Sequence, residues 1–398
     1  MSRKTNIEKQ EGEEIMKFTI SNEVLKDVIE RVAVTIGKQP VYPPFVKLWT
    51  NDENHVTVTA ENSHTFCDVT IPASIEEFGA VYLDIDTVKK IYNIPGMVTI
   101  SKNGNNLVAR GAKKGCEIAT LIFDEPYIHP DHNTESTLAL TMLNDKLLSA
   151  IDRLLPAVDS CDGVRPVLQG IYFDCNDGNM VALDGFRMHI VDMNQNGADI
   201  SDFTGFNLYG NRLAHLKKLI RKSDMSLTME ISRHKSAVSF HYETPEYALT
   251  YGISVIEGDY IKYKQILPQK FLHEFTANPD ELKRIAKEYK GYKAGNLMHF
   301  VYLKDGMFTY IKGDSFRTYD KVESYNGITA EPCDLIIKFN ALYVLEGMSV
   351  LENKETWFGW NNAVQPMLVK QDDMTMLILP VRDDAFVNAE VKEFIEKN

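Results

Sequence analysis

The 398 residues hold no apolar run of the roughly eighteen that a membrane-spanning helix needs, so no span is expected. Cysteine is scarce and scattered. The five (Cys67, Cys116, Cys161, Cys175 and Cys333) form no C-x-x-C pair, which argues against a disulfide framework and a zinc site. That usage fits a reduced, cytoplasmic protein. The opening Met1-Ser-Arg-Lys-Thr-Asn is polar throughout, so no secretory signal is expected. Catalytic signatures are missing as well. There is no G-x-S-x-G, no H-E-x-x-H and no phosphate-cradling glycine loop; Gly104 and Gly111 read as a hairpin because no Gly-Lys-Ser/Thr follows. Neither metal nor cofactor is expected. Positive charge is in deficit, with 43 Lys and Arg against 56 Asp and Glu and a formal net charge of −13. On average that disfavours nucleic acid, but an acidic mean can hide a basic stripe.

What is present is ample core material, 44% hydrophobic and 10% aromatic, in a length suited to two or three domains. One unit recurs, starting near residues 17, 138 and 271. Each copy opens with a strand period that gives way, across a cap, to a helical period. The caps are Ser21 or Asn22, then Asn144, then Asn278 followed by Pro279. Alternating strands such as those at 55–61, 179–185 and 307–313 follow. A second strand-cap-helix comes at 81–93, 206–220 and 335–348, and further strands close the copy. Two helices and roughly eight strands in about 115–130 residues make a usual domain. The expected class is α+β, with helices on one face of antiparallel sheets.

On a wheel of 100° per residue, Leu213, Leu216, Leu219 and Ile220 gather opposite Lys217, Lys218, Arg221 and Lys222. Leu282, Ile285, Ala286 and Tyr289 likewise oppose Lys283, Arg284, Lys287 and Lys290. Lys89 and Lys90 fall on the matching helix of the first unit, and Lys26, Lys146 and Arg153 add weaker marks; the last helix, from Ala341, has no basic residue. No aromatics interleave with these cations, which excludes a stacking platform for single strands. Long flexible cations on equivalent helices suit sequence-independent contact with a duplex backbone.

Two strings carry a resemblance: residues 165–191, with Ala182-x-Asp184-Gly185-x-Arg187 inside them, and Met376-LILPVR. With the opening Met16-KFTI and the threefold unit, they resemble the beta subunit of bacterial DNA polymerase III, the sliding-clamp family, over about residues 16 to 382. The resemblance implies three tandem clamp domains (16–135, 136–267 and 268–382) between extensions at 1–15 and 383–398. It implies a head-to-tail homodimeric ring, helices lining the hole and sheets outside. Duplex DNA would pass through it, and DNA polymerase and the clamp loader would be tethered to it. No catalysis belongs to such a subunit.

It also implies a peptide cleft between the second and third domains. Leu168 and Leu183 would form its apolar wall, followed by Gly185, Phe186, Arg187 and Met188 on a hairpin. Ile261, Gln265 and Ile266 would come from the linker, and Asn340 and Tyr343 from the third domain. Leu377, Ile378, Leu379, Pro380, Val381 and Arg382 would close it. A greasy groove with a few polar groups suits a short extended peptide. The family often has Pro and Arg where this chain has Ile261 and Gln265. A DNA-touching loop arginine aligns near Gln39, with Lys38 beside it. Dimer contacts would fall at Gly291 and Tyr292, opposite Cys116 and Ile118, a thinner interface than usual.

Asp184, Arg187 and His189 are close in sequence and invite a hydrolase reading, but strand alternation sets Arg187 and His189 on one face, away from their neighbours. Two further readings are a clamp-like processivity factor of a mobile element or second copy, and an unrelated repeat enzyme with an interdomain site. The tail beyond Arg382 has a near-helical apolar period through Phe386 and Phe394; it reads as a frayed, partly helical terminus, as a segment docked back on the peptide cleft by that side, or as a surface brace for the last domain.

Overall fold

The computed structural model describes residues 15–36, 44–50, 52–122, 136–160, 165–195, 205–220, 226–232, 236–289, 297–303, 306–312, 315–329, 335–382 and 386–398. The first segment begins β1 (Lys17–Ser21), α1 (Asn22–Val32), β2 (Phe45–Thr50), β3 (His55–Asn62) and β4 (Thr65–Pro72). It goes on through β5 (Ser74–Glu77), β6 (Gly79–Asp84), α2 (Ile85–Val88), β7 (Met97–Asn103), β8 (Asn106–Arg110) and β9 (Gly115–Ala119). Ser21 holds the N-cap position of α1 but its side chain caps nothing. The neighbouring Asn22 is buried and donates to the carbonyls of Ile91 and Ile94, so it ties the helix start to a distant turn. Asp84 does cap α2, accepting from the amides of Asp86 and Thr87. That helix is a single turn, shorter than the sequence period suggests. Lys89 and Lys90 lie just past it, where i+3 bonds tighten the chain into a 3-10 turn at Ile91–Asn93. Pro95 enforces the stop by holding Ile94 extended.

The middle segment runs β10 (Ser136–Leu143), α3 (Asn144–Leu154), β11 (Gly170–Asp174), β12 (Asn179–Leu183), β13 (Arg187–Asp192) and β14 (Phe206–Tyr209). It closes with α4 (Gly210–Leu219), β15 (Ser226–Ser232), β16 (Ala237–Glu243) and β17 (Ala248–Ser254). The last segment opens with β18 (His273–Ala277), α5 (Pro279–Tyr289), β19 (Leu297–Leu303), β20 (Gly306–Lys312), β21 (Arg317–Lys321) and β22 (Asn326–Thr329). It ends with β23 (Leu335–Asn340), α6 (Ala341–Ser349), β24 (Thr356–Trp360), β25 (Met367–Gln371), β26 (Met374–Ile378) and α7 (Phe386–Lys397). Asn278 caps α5 through the amide of Asp280, and Asn340 caps α6 through that of Leu342. The apolar faces expected for α4 and α5 are buried, and Lys217, Lys218, Arg284 and Lys287 are exposed.

The chain divides into two compact units. Residues 1–142 with 215–254 hold a five-stranded sheet, β5-β1-β7-β8-β9, and an eight-stranded one, β10-β15-β16-β17-β4-β3-β2-β6. The eight-stranded sheet is continuous because β17 pairs antiparallel with β4, Gly252 opposite Phe66. A Cβ on Gly252 would overlap the Phe66 ring, so glycine is what lets that ring lie across the strand. Residues 143–214 with 255–398 hold a nine-stranded sheet, β14-β11-β12-β13-β26-β25-β24-β18-β22, joined at β13 and β26, and a four-stranded one, β21-β20-β19-β23. Between these two sheets Phe275 stacks on Phe358 at 4.6 Å, and Trp360 packs against both Phe275 and Phe300. Helices α5 and α6 lie side by side.

Of the readings open to it, the tail takes that of a surface brace. Helix α7 rests on the four-stranded sheet, with Val391 and Ile395 buried against Val301, Leu303, Tyr310 and Ile336. Phe394 meets Tyr310 and Tyr319 edge-on at 5.7 and 6.0 Å. That sheet offers a broad aromatic face to the helix's apolar stripe.

Candidate functional site

The hairpin between β12 and β13 is built by its own residues. The Asp184 carboxylate accepts the amides of Phe186 and Arg187, each at 2.9 Å, and Gly185 between them sits at φ +91°, where a side chain would be strained. Arg187 is then enclosed at 7% exposure. Its Nε donates to Asp184 at 3.0 Å, its Nη1 donates to Glu346 on α6, and its guanidinium carbon stands 4.5 Å from the Tyr343 ring centroid. Burial, with Asp184 nearby, pushes the Tyr343 hydroxyl above its usual range. Phe186 is left 58% exposed, its ring 6.1 Å from that of Tyr343. Beyond β26 the chain is pinned on both sides. Leu379 donates to the carbonyl of Phe186 and Val381 to that of Lys338, both at 2.8 Å. Pro380, between them, has no amide to satisfy.

Leu168, Leu183, Met188 and Leu377 come together in one apolar cluster with Val181, Ile190, Tyr263 and Leu368. Tyr260, Leu267, Phe271, Trp357 and Leu379 pack partly buried against it. Phe186 stays exposed, as do Val381 and Arg382, which follow Leu379 of this cluster in the chain. Five expected residues sit differently. Ile378 alternates to the opposite side of β26 and is buried, within 3.8 Å of where a Cβ on Gly347 of α6 would lie. Asn340 spends its side chain capping α6. Ile261 and Gln265 line a separate recess of about 340 Å³ with Tyr172, Asp174, Tyr260 and Lys264. Ile266 lies near them on the 3-10 turn Tyr263–Ile266 and is 41% exposed. Tyr263 locks that turn by donating to Asp174 at 2.7 Å; burial first, and then this bond, raise its hydroxyl pKa.

The Asp184, Arg187 and His189 trio does not converge on a reactive point. Asp184 is occupied by Arg187. His189 is fully buried, and its Nδ1 donates to the Arg153 carbonyl at 2.7 Å. Burial depresses its pKa to about 4, so the ring is neutral near pH 7. Among the described residues no group of three His, Cys, Asp or Glu is placed to hold a metal ion.

Along its length the chain is 23% identical over 393 residues to the beta sliding clamp of Bacillus subtilis and 21% identical over 394 residues to that of Staphylococcus epidermidis. Each match takes in 92% of this chain and 100% of the relative. This chain is a relative of the bacterial beta sliding clamps. Among solved structures, the Bacillus subtilis DNA polymerase sliding clamp superposes with a TM-score of 0.81 at 20% identity, over 93% of this chain and 100% of that one. A putative DNA polymerase III beta subunit from Eubacterium rectale gives 0.81 at 19% identity, over 92% and 100%. No family model matches the chain.

Within this beta-clamp fold the cations singled out in the sequence fall into three groups. Lys217, Lys218 and Lys287 are exposed, and Lys146 and Lys283 are half-buried. Lys26 lies near Glu30 and over the Tyr92 ring, Lys89 is on Asp86, and Arg284 is on Glu288. Arg153 is a correction. It makes a two-pronged pair with Asp373 at 2.6 and 2.7 Å, with both side chains under a fifth exposed, so it braces α3 against the β25–β26 turn instead of reaching outward. Lys38, Arg221, Lys222, Lys290, Gly291 and Tyr292 lie outside the described residues. Cys116 is half-buried and Ile118 buried, both on β9. Sequence reasoning missed Glu346, Asp373, Trp357 and Phe271. They carry no local pattern: Glu346 reaches Arg187 from α6, Asp373 meets Arg153, and Trp357 and Phe271 pack against the apolar cluster.

Proposed function

We infer that the chain is a DNA sliding clamp, a non-catalytic processivity factor that encircles duplex DNA and tethers a polymerase. Strand pairing is the observation that carries this reading. After its hairpin, β4 adds the closing strand β17, with Thr65 opposite Ile253. β13 adds β26 in the same manner, with Arg187 opposite Ile378. The corresponding strand of the last segment is β21, and the corresponding closing strand of the first is β9. Both are sheet edges among the described residues. Continuing the rule places β9 of a second copy on β21, with Thr318 opposite that copy's Ile118. Arg317, Tyr319 and Lys321 would then flank its Ala119 and Glu117, a favourable pattern of charge. Two copies joined twice in this way make a closed head-to-tail ring with no edges left open.

In this reading the three segments are the domains 16–135, 136–267 and 268–382, and α1 to α6 line the hole. Lys217, Lys218, Lys283 and Lys287 meet phosphates without reading sequence. The floor of Leu168, Leu183, Met188 and Leu377, rimmed by Phe186 and Leu379 to Arg382, receives the peptides of polymerases and the clamp loader, with a large apolar anchor beside Phe186. Arg187 shapes that wall from behind. No helix of the described residues is long and apolar enough to cross a membrane; the protein works in the cytoplasm on the nucleoid. The separate recess at Ile261 and Gln265 favours a docking preference of its own, as a second clamp copy would have.

The test is topological. Protein loaded by a clamp loader onto nicked circular DNA should stay bound through gel filtration in high salt and run off once the circle is cut. Equal loss from both forms would overturn the reading.

A further inference from the structure

The tail helix is the largest feature that the clamp reading leaves without a task. It lies on the face of the four-stranded sheet, where its apolar side reaches β19, β20, β21 and β23 through Leu303, Tyr310, Tyr319 and Ile336. Its other grip is ionic and is aimed at one corner. Glu390 accepts from Lys312 at 3.2 Å, at the end of β20, and pairs with Arg317 at 3.1 Å, the first residue of β21. The Arg317 guanidinium also stands 5.7 Å from the Phe394 ring. Arg317 and Tyr319, the two residues of the edge strand that α7 holds, are the pair that would flank Ala119 and Glu117 of a second copy.

We propose that α7 is part of the joint between two copies of this chain: it holds edge strand β21 extended for β9 of the second copy to add to, and its Glu390–Glu393 flank borders the incoming strand. The proposal rests on the ring reading above. An unsupported edge strand must be ordered when a partner adds to it, and that ordering costs affinity; a strand already fixed by a helix on its face avoids the cost. Among the described residues β21 pairs with β20 alone, which leaves its other edge free of a strand for the joint. Charge also fits. Arg317 and Lys321, on the same side of β21, offer cations to the second copy's exposed Glu117.

Sedimentation equilibrium of the full chain tests this. Glu390→Arg keeps the apolar stripe of α7 and repels Lys312 and Arg317; it should raise the dimer dissociation constant at least tenfold with the melting transition still cooperative. Glu396→Arg, on the exposed far side of the helix, should leave it unchanged. Truncation after Arg382 should weaken the dimer further, and if that shorter chain fails to fold, Glu390→Arg decides alone. A full-length dimer whose affinity is untouched by Glu390→Arg overturns the role of α7 and leaves the ring standing. A full-length chain that is monomeric throughout overturns the ring, and this proposal with it.

Discussion

At the scale of single residues, the groove is shaped by buried charge more than by the residues that face it. Arg187 is enclosed by Asp184, Glu346 and the Tyr343 ring, so its removal leaves the largely buried Asp184 carboxylate without its cation. Arg187→Ala should cost about 3 kcal/mol in urea unfolding, the usual size for a broken buried pair. Glu346→Ala should cost less, because Glu346 is a third exposed and Asp184 still holds the guanidinium. His189 gives a pH signature. Its folded pKa of about 4 lies below the ordinary value of 6.5, so the unfolded chain binds the extra proton between those two values. Stability is therefore complete above about pH 6.5, falls as the pH drops from there toward 4, and levels off for this group below it. At about 1.4 kcal/mol for each pH unit of that window, the loss is on the order of 3 kcal/mol. Denaturant midpoints measured from pH 7.5 to 4 should show this slope in the native protein and lose it in His189→Gln.

At the scale of elements, two strand joins hold distant segments together. In the β17–β4 join the Phe66 ring occupies the space above Gly252. Gly252→Val would drive a branched side chain into that ring, with no room for either to move. The expected cost is about 2–3 kcal/mol, and hydrogen exchange should quicken at the amides of β4 and β17 first, before those of β7 and β8. Unchanged protection across β4 and β17 would show that the join tolerates the added bulk. The β13–β26 join has no such glycine. Its ladder runs directly into the pinned segment Leu379 to Val381, so the groove rim inherits its rigidity from the sheet.

At the scale of the whole molecule, charge works against its own average. A chain of net charge −13 should bind duplex DNA only where its cations are gathered. Replacing Lys217, Lys218, Lys283 and Lys287 together by Glu should abolish clamp-dependent processive synthesis. It should also flatten the salt dependence of retention on circular DNA, by about one in the slope for each phosphate no longer neutralised. The circular dichroism spectrum and melting temperature should be unchanged, because none of the four is buried. Full processivity in that variant would mean that DNA is met by another surface.

The sequence by itself determined the local grammar of this protein. The cap at Asn278, the buried stripes of α4 and α5, and the Asp184-Gly185 turn all follow from the 3.6- and 2-residue periods and from turn chemistry, which are written in adjacent residues. The gathering of Leu168, Leu183, Met188 and Leu377 in one apolar cluster was not written in any period, because Leu168 lies on a 3-10 turn and the other three lie on three different strands. Only the tertiary structure decided the rest. Arg153 looked like an outward cation until Asp373, far along the chain, claimed it. Ile378 looked like groove lining until the β13–β26 register turned it toward α6. The tail could have frayed, docked in the groove beside it or braced the last segment, and the aromatic face of the four-stranded sheet decided it. In each case the deciding contact joins residues far apart in the chain, where no short period reaches, and the larger buried surface or the better-paired charge prevails over the nearer one.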